Sequence, residues 1–321
     1  MSLELEPVEI SPVQQLRALR LMFGPSGPST NALAAIAQLT TAVRIPQGMV
    51  VEREGKPFGS VYLLIEGELR AAREGRLLGT FGARNSVGVL STLARDRHGF
   101  TCEALADTVA LKLRADDFLE VLEDHFELMY SAMRGLAHDG IELRRNLMPH
   151  AGFATPVRGP SQKRVDCPRE PLELTERILC LRETFGLQHS YIDELAQLAR
   201  AAQERRYAPG EQLWSTDERA THAAILICGA VQCATPAGAR FGFGVGDIVG
   251  ALDTLAEKPR WFDAVASEET VALTLEAEAM VDVWEDRPGL ALDFLRLIAI
   301  TLISLREHAS AHPPPMQSDA P

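Results

Sequence analysis

Shifted by about 162 residues, the second half of the sequence falls on the first without a gap. Leu19-Arg20 and Phe23-Gly24 return as Leu181-Arg182 and Phe185-Gly186, and Gly48 returns as Gly210. Leu64-Ile65-x-Gly67 becomes Leu226-Ile227-x-Gly229, and Phe81-Gly82 becomes Phe243-Gly244. The longest match, Val87-Gly88-x-Leu90-x-Thr92-Leu93-Ala94, reappears as Val249-Gly250-x-Leu252-x-Thr254-Leu255-Ala256, and Thr108 to Leu111 as Thr270 to Leu273. A repeat at this period is a tandem duplication, so both halves must satisfy one fold. The 321 residues suit that reading, being roughly two domains of about 150. Between the copies, Pro149, Pro156, Pro160 and Pro168 with Gly152 and Gly159 have the composition of a linker. The expected domains are residues 12–148 and 172–308, joined by a linker over 149–171 and followed by a disordered tail over 309–321.

Within each copy the apolar period changes in a fixed order. Residues 12–23 and 31–42, matched by 173–185 and 191–204, carry helical spacing, and Ser11-Pro12 is a helix start with a capping serine and proline at the first position. From about residue 43 to 114, short β-branched and apolar runs alternate with Gly, Pro and Asp. Val50-Val51, Val61 to Ile65, Glu68 to Ala72, Leu77 to Phe81 and Thr108 to Leu113 are the clearest strands. Each copy closes on a long helical stretch, 116–147 and 276–308. The expected fold is mainly β with α: two tandem jelly-roll β-barrels, each flanked by N-terminal helices and a long C-terminal helix.

The residues that punctuate these barrels carry a family resemblance. The first copy has Ile45-Pro-Gln-Gly48, Gly55, Val61-Tyr-Leu-Leu-Ile-Glu-Gly67, Gly82, Val87-Gly88 and Arg97. The second has Ala208-Pro-Gly210, Ala224-Ile-Leu-Ile-Cys-Gly229, Gly246-Asp247, Val249-Gly250 and Lys258-Pro-Arg260. Over about residues 40–140 and 202–305 this resembles the cyclic nucleotide-binding domain of catabolite-activator-type regulators and of the regulatory subunit of cyclic-AMP-dependent kinase.

The resemblance implies a phosphate cassette in each copy: a Gly-Glu turn opening a helix, then about ten residues later an Arg followed by two small residues. Helix-start amides and the Arg neutralise the cyclic phosphate, and the Glu accepts the ribose hydroxyl. Here Gly88 and Gly250 open the turns, but the Glu positions hold Val89 and Ala251. Losing a hydrogen bond to a charged group costs roughly 1.5–3 kcal/mol, about ten- to a hundredfold in affinity. Arg260 keeps the Arg position in the second copy, whereas the first has His98 with Arg97 one residue away. Trp261-Phe262 and Gly99-Phe100 stand where small residues belong, and bulky rings there fill a pocket. Two vestigial sites are expected, with Arg260 either facing a ligand or paired to a carboxylate such as Asp253 or Asp263.

The remaining constellations exclude other chemistries. No His-x-His or His-Glu-x-x-His occurs, so no metal site is expected. Gly242-Phe-Gly244-Val-Gly246 reads as hairpin geometry, and Arg144-Arg145-Asn146 as a solvated helix face. The five cysteines (102, 167, 180, 228, 233), few and odd in number, read as reduced thiols, with Cys228 and Cys233 packed in the barrel. An acidic start without a signal-peptide pattern points to the cytoplasm. A net charge of -12 and the lack of a helix-turn-helix after residue 308 count against DNA as a partner. The run Leu290 to Leu305 falls short of the roughly 20 residues needed to span a bilayer. Phe294 to Ile303 is apolar nearly all round, so that helix needs cover on two sides, as in a homodimer or an intramolecular pairing through residues 290–305 and 116–147. The expectation is a non-enzymatic regulatory or scaffold protein working through protein contacts, with no cofactor save a cyclic nucleotide. The alternatives are a cyclic-nucleotide sensor using Arg260, and a regulatory subunit or inhibitor of an enzyme.

Overall fold

The computed structural model describes residues 5–24, 27–147 and 165–311, with side chains to 309. A two-residue strand, β1 (Glu6–Pro7), precedes helix α1 (Pro12–Phe23). Ser11 caps that helix as expected: its Oγ accepts from the Gln14 N–H at 3.3 Å, and Gln14 Oε1 accepts from the Ser11 N–H at 2.8 Å. Helix α2 (Thr30–Leu39) stops earlier than its apolar spacing suggested, because Thr41–Ile45 leaves the helix to become strand β2. The barrel then runs through β3 (Val50–Glu52), β4 (Ser60–Glu66), β5 (Glu68–Arg73), β6 (Arg76–Gly82), β7 (Ser86–Val87), helix α3 (Val89–Ala94), β8 (Thr101–Ala104) and β9 (Thr108–Arg114). Two helices follow, α4 (Ala115–Asp124) and α5 (Phe126–Leu147).

The second copy repeats the order: α6 (Leu174–Glu183), α7 (Ile192–Ala201), β10 (Gln203–Tyr207), β11 (Gln212–Trp214), β12 (His222–Cys228), β13 (Val231–Ala234), β14 (Arg240–Phe243), β15 (Ile248–Val249), α8 (Ala251–Leu255), β16 (Asp263–Ala266), β17 (Thr270–Glu276), α9 (Ala277–Asp286) and α10 (Pro288–Ala311). Each expected long helix is thus two helices. Arg287 sits at φ -134° before Pro288, which has no N–H to continue α9 and starts α10 instead. His125 takes a similar non-helical conformation, at φ -127°, without a proline behind it.

Both barrels are pairs of antiparallel sheets with one topology. The first has β1-β2-β9-β4-β7 against β3-β8-β5-β6; the second has β10-β17-β12-β15 against β11-β16-β13-β14. One bulge falls at the same place in both copies, between Leu64 and Glu66 and again between Leu226 and Cys228. The glycine after each bulge is obligatory. Gly67 has φ 87° and a Cβ there would lie 2.5 Å from the Asp107 carbonyl, while Gly229 at φ 78° is pressed against Thr270 in the same way. Alternate residues point inward, giving one core around Val43, Ile45, Tyr62, Leu64, Leu69 and Cys102, and another around Ala224, Leu226, Val231, Cys233, Phe241 and Phe243.

The chain forms two compact units that cut across the sequence copies. One comprises Met1–Ala132 with Leu302–Pro321, the other Met133–Thr301. The second unit therefore includes much of α5, whose Ile141 is buried in the second core. Most of the expected linker, residues 149–164, and the tail from residue 312 lie outside the described residues.

Two expectations need correction. Cys167 and Cys228 are joined in a disulfide, with Cα atoms 5.3 Å apart; cysteine counting missed it because pairing depends on position, not on number. Cys102, Cys180 and Cys233 are free. Helix α10 is also longer than its apolar run, and the segment Pro288–Ala309 has the length and composition to cross a bilayer. No residue from 290 to 305 is exposed, although Leu297, Ile300 and Ile303 are only half-buried.

Candidate functional site

The cassettes begin where strand gives way to a short helix. Gly250 at φ 75° and Gly88 at φ 93° each occupy the left-handed region at the N-cap of α8 and α3, which places Ala251 and Val89 at the first helical position. The family-type Glu has no counterpart at either place.

In the second copy, Arg260 is only 1% exposed. Its Nη1 donates to the Gly250 carbonyl at 3.0 Å and lies 3.4 Å from both Asp253 Oδ2 and Thr254 Oγ1; its Nη2 donates to the His222 carbonyl. The guanidinium stacks 3.9 Å over the Trp214 ring. It fills the space a side chain at 250 would need: a Cβ there would collide with Nη1 and come within 2.9 Å of Trp214. Asp253 is equally enclosed and accepts from Trp261 Nε1 at 2.9 Å. Burial pushes its carboxyl up to about 6, although Arg260 and Trp261 pull the other way. Burial likewise lowers the guanidinium of Arg260, opposed by Asp253. The other candidate partner, Asp263, instead accepts the Thr216 N–H at 2.7 Å.

The aromatics after Arg260 belong to the barrel interior. Trp261 and Phe262 are buried with Trp214, Phe241 and Phe243, and the Trp261 ring stacks on Phe241 with centroids 5.5 Å apart. The first cassette holds no comparable cluster. Arg97 and His98 are both exposed on the loop after α3, and the space beneath Gly88 is taken by Phe58, which packs on Phe100 at 4.3 Å.

Each cassette has a further arginine beside it, one that sequence reading passed over and one that it misread. Arg73 on β5 donates its Nε to the Gly99 carbonyl at 2.7 Å and pairs with Asp96 and Glu307. Arg144 is not on a solvated helix face: it is partly buried, its Nε is shielded from solvent without a hydrogen-bond partner among the described residues, and burial lowers its guanidinium against the pull of Asp253. Its neighbour Arg145 is exposed and lies 3.8 Å from Glu142. Trp214 gave no signal in the sequence beyond sitting opposite Glu52 in the repeat. Among the described residues no group of His, Cys, Asp and Glu is arranged to hold a metal.

The sequence matches the cyclic nucleotide-binding domain family twice, over residues 42–125 and 204–287, together just over half the chain. The chain belongs to the cyclic nucleotide-binding domain family. Among solved structures, this chain with its tandem domains is similar to a mutant regulatory subunit of a cAMP-independent protein kinase A from Trypanosoma brucei bound to cAMP in its A site. That likeness has 18% identity and a TM-score of 0.33, covering 89% of this chain and 95% of the other. It is also similar to the regulatory domain of Toxoplasma gondii protein kinase A with cAMP, at 17% identity and TM-score 0.33, over 89% and 97% of the two chains. A cyclic nucleotide-binding protein from Ruegeria pomeroyi matches at 20% identity and TM-score 0.34, over 39% of this chain and 57% of that one. Among curated proteins, none matches the sequence.

Proposed function

We propose that the protein is a non-enzymatic regulatory or scaffold protein whose two cyclic nucleotide-binding domains are degenerate and act through protein contacts. The observation that carries this reading is the engagement of Arg260: its guanidinium is held by Gly250, Asp253, Thr254 and His222 and lies on Trp214, leaving it turned inward from any phosphate. Releasing it for a ligand would leave Asp253 a buried, unpaired charge, a loss of roughly 3–5 kcal/mol that ordinary phosphate contacts do not offset. Val89 and Ala251 in place of the Glu, and His98 in place of the first Arg, support the same reading.

Calorimetric titration with cyclic AMP and cyclic GMP tests it. The expected result is no saturable heat up to millimolar ligand. Micromolar binding that disappears in Arg260→Gln would establish a cyclic-nucleotide sensor instead. A cytoplasmic setting and homodimerisation through residues 290–305 belong to the same proposal. The first requires that the Cys167–Cys228 bond be reducible in place. The second has to rely on half-buried positions such as Leu297, Ile300 and Ile303, because the rest of that surface is already buried.

A further inference from the structure

Beside the second cassette lies a cavity of about 150 Å³, all of whose lining residues belong to the unit Met133–Thr301. Sites for drug-sized ligands run to roughly 300–1,000 Å³, so a nucleotide does not fit. A cavity near 150 Å³ is known to hold a benzene-sized guest. The walls are ring and branched side chains: Phe243, Trp261 and Phe262 from the barrel, and Phe294, Leu297 and Ile298 from α10. Three charged side chains reach this surface, Arg144 from α5, Asp253 from α8 and Asp247 just before β15, whose Oδ2 accepts the Gly244 N–H at 2.8 Å. Asp253 is already satisfied by Arg260 and Trp261. Arg144 is not: its Nε is out of solvent with no hydrogen-bond partner among the described residues. A shielded N–H without an acceptor is costly, and a carboxylate relieves that cost because its two oxygens match the planar fork of donors to which Nε belongs.

We propose that this cavity is a site for a small aromatic monocarboxylate, a benzoate-sized anion whose ring lies among the Phe and Trp side chains and whose carboxylate pairs with Arg144. The donor geometry sets the class: the planar fork of Arg144 matches the two oxygens of a carboxylate, and a monoanion meets the Asp247 and Asp253 carboxylates with half the charge of a phosphate dianion. The proposal rests on the reading that Arg260 is committed within the fold, yet it is tested separately, since cyclic nucleotides and carboxylates are independent titrations.

The test uses the full chain and four probes: benzoate, phenylacetate, benzyl alcohol and inorganic phosphate. Binding is read by calorimetry and by Trp fluorescence, because Trp261 lines the cavity. The two carboxylates are expected to bind and shift the emission, with benzyl alcohol and phosphate at least tenfold weaker. Arg144→Gln should weaken benzoate ten- to a hundredfold while leaving the melting temperature within a few degrees of wild type. Ala251→Leu, which narrows the cavity from the cassette side, should abolish binding even if Arg144→Gln fails to fold. The proposal is overturned if neither carboxylate binds, if benzyl alcohol binds as well as benzoate, or if binding survives either substitution unchanged.

Discussion

The two cassettes hold equivalent places in the duplicated fold and solve the same packing problem with opposite chemistry. Beneath Gly88 the space is filled by Phe58 against Phe100, an apolar plug, and His98 is left in solvent. Beneath Gly250 it is filled by Arg260 lying on Trp214 and tied to Asp253. The residue equivalent to Asp253 in the first copy is Ser91, which is buried with no hydrogen-bond partner for its Oγ among the described residues. A glycine that admits close approach from below does not dictate what approaches. The ring plug needs no partner, whereas the arginine needs an acid, two carbonyls and a ring, so the second cassette depends on more residues at once.

That difference can be broken by substitution. Arg260→Ala leaves Asp253 buried without its cation and should cost roughly 3–5 kcal/mol, while His98→Ala should stay within about 0.5 kcal/mol. Urea unfolding of both variants checks this, and equal losses would erase the asymmetry. Next in size is the disulfide, which only the second copy has. Cys167→Ser should lower stability by roughly 2–4 kcal/mol in oxidised protein and by much less once wild type and variant are both reduced. An identical difference with and without reductant would mean that the bond contributes nothing beyond packing. The smallest effect is in pH. Asp253 has a folded pKa of about 6, above the ordinary value of about 4 for an unfolded aspartate. Its contribution is therefore fully present below about pH 4 and is lost as pH rises through about 6, by roughly 2–3 kcal/mol. Urea midpoints at pH 4, 5, 6 and 7 should show the wild type losing this margin over Asp253→Asn; a constant margin would place the carboxyl in its ordinary range. Ser91, at the equivalent place in the first copy, offers no such titration.

What could be read from the sequence follows from how local its causes are. Gly67 and Gly229 were legible because a tight approach after a bulge admits no other residue, and the repeat showed that requirement twice. The Ser11 cap was legible for the same reason, its partners lying three residues away. The end of α2 at Leu39 was not, since Thr41–Ile45 becomes a strand by pairing with β9, far along the chain. The substitutions at Val89, Ala251 and His98 were visible as departures from a family pattern. The fate of Arg260 was open until Asp253 and Trp214 were placed around it, and Arg144 was misread because its neighbours come from the other half of the sequence. The Cys167–Cys228 bond likewise joins residues 61 apart that no spacing rule singles out.

The compact units carry a historical consequence. A duplicated gene can ordinarily be cut at its seam to give two working halves. Here the unit containing the first barrel takes in Leu302–Pro321, and Arg73 draws on Glu307 from that stretch. The unit containing the second barrel begins at Met133, and its core takes in Ile141. Severed between residues 148 and 172, neither piece would carry all of its own interior. The two copies have become interdependent parts of one heritable object, free to diverge in their cassettes but not to separate.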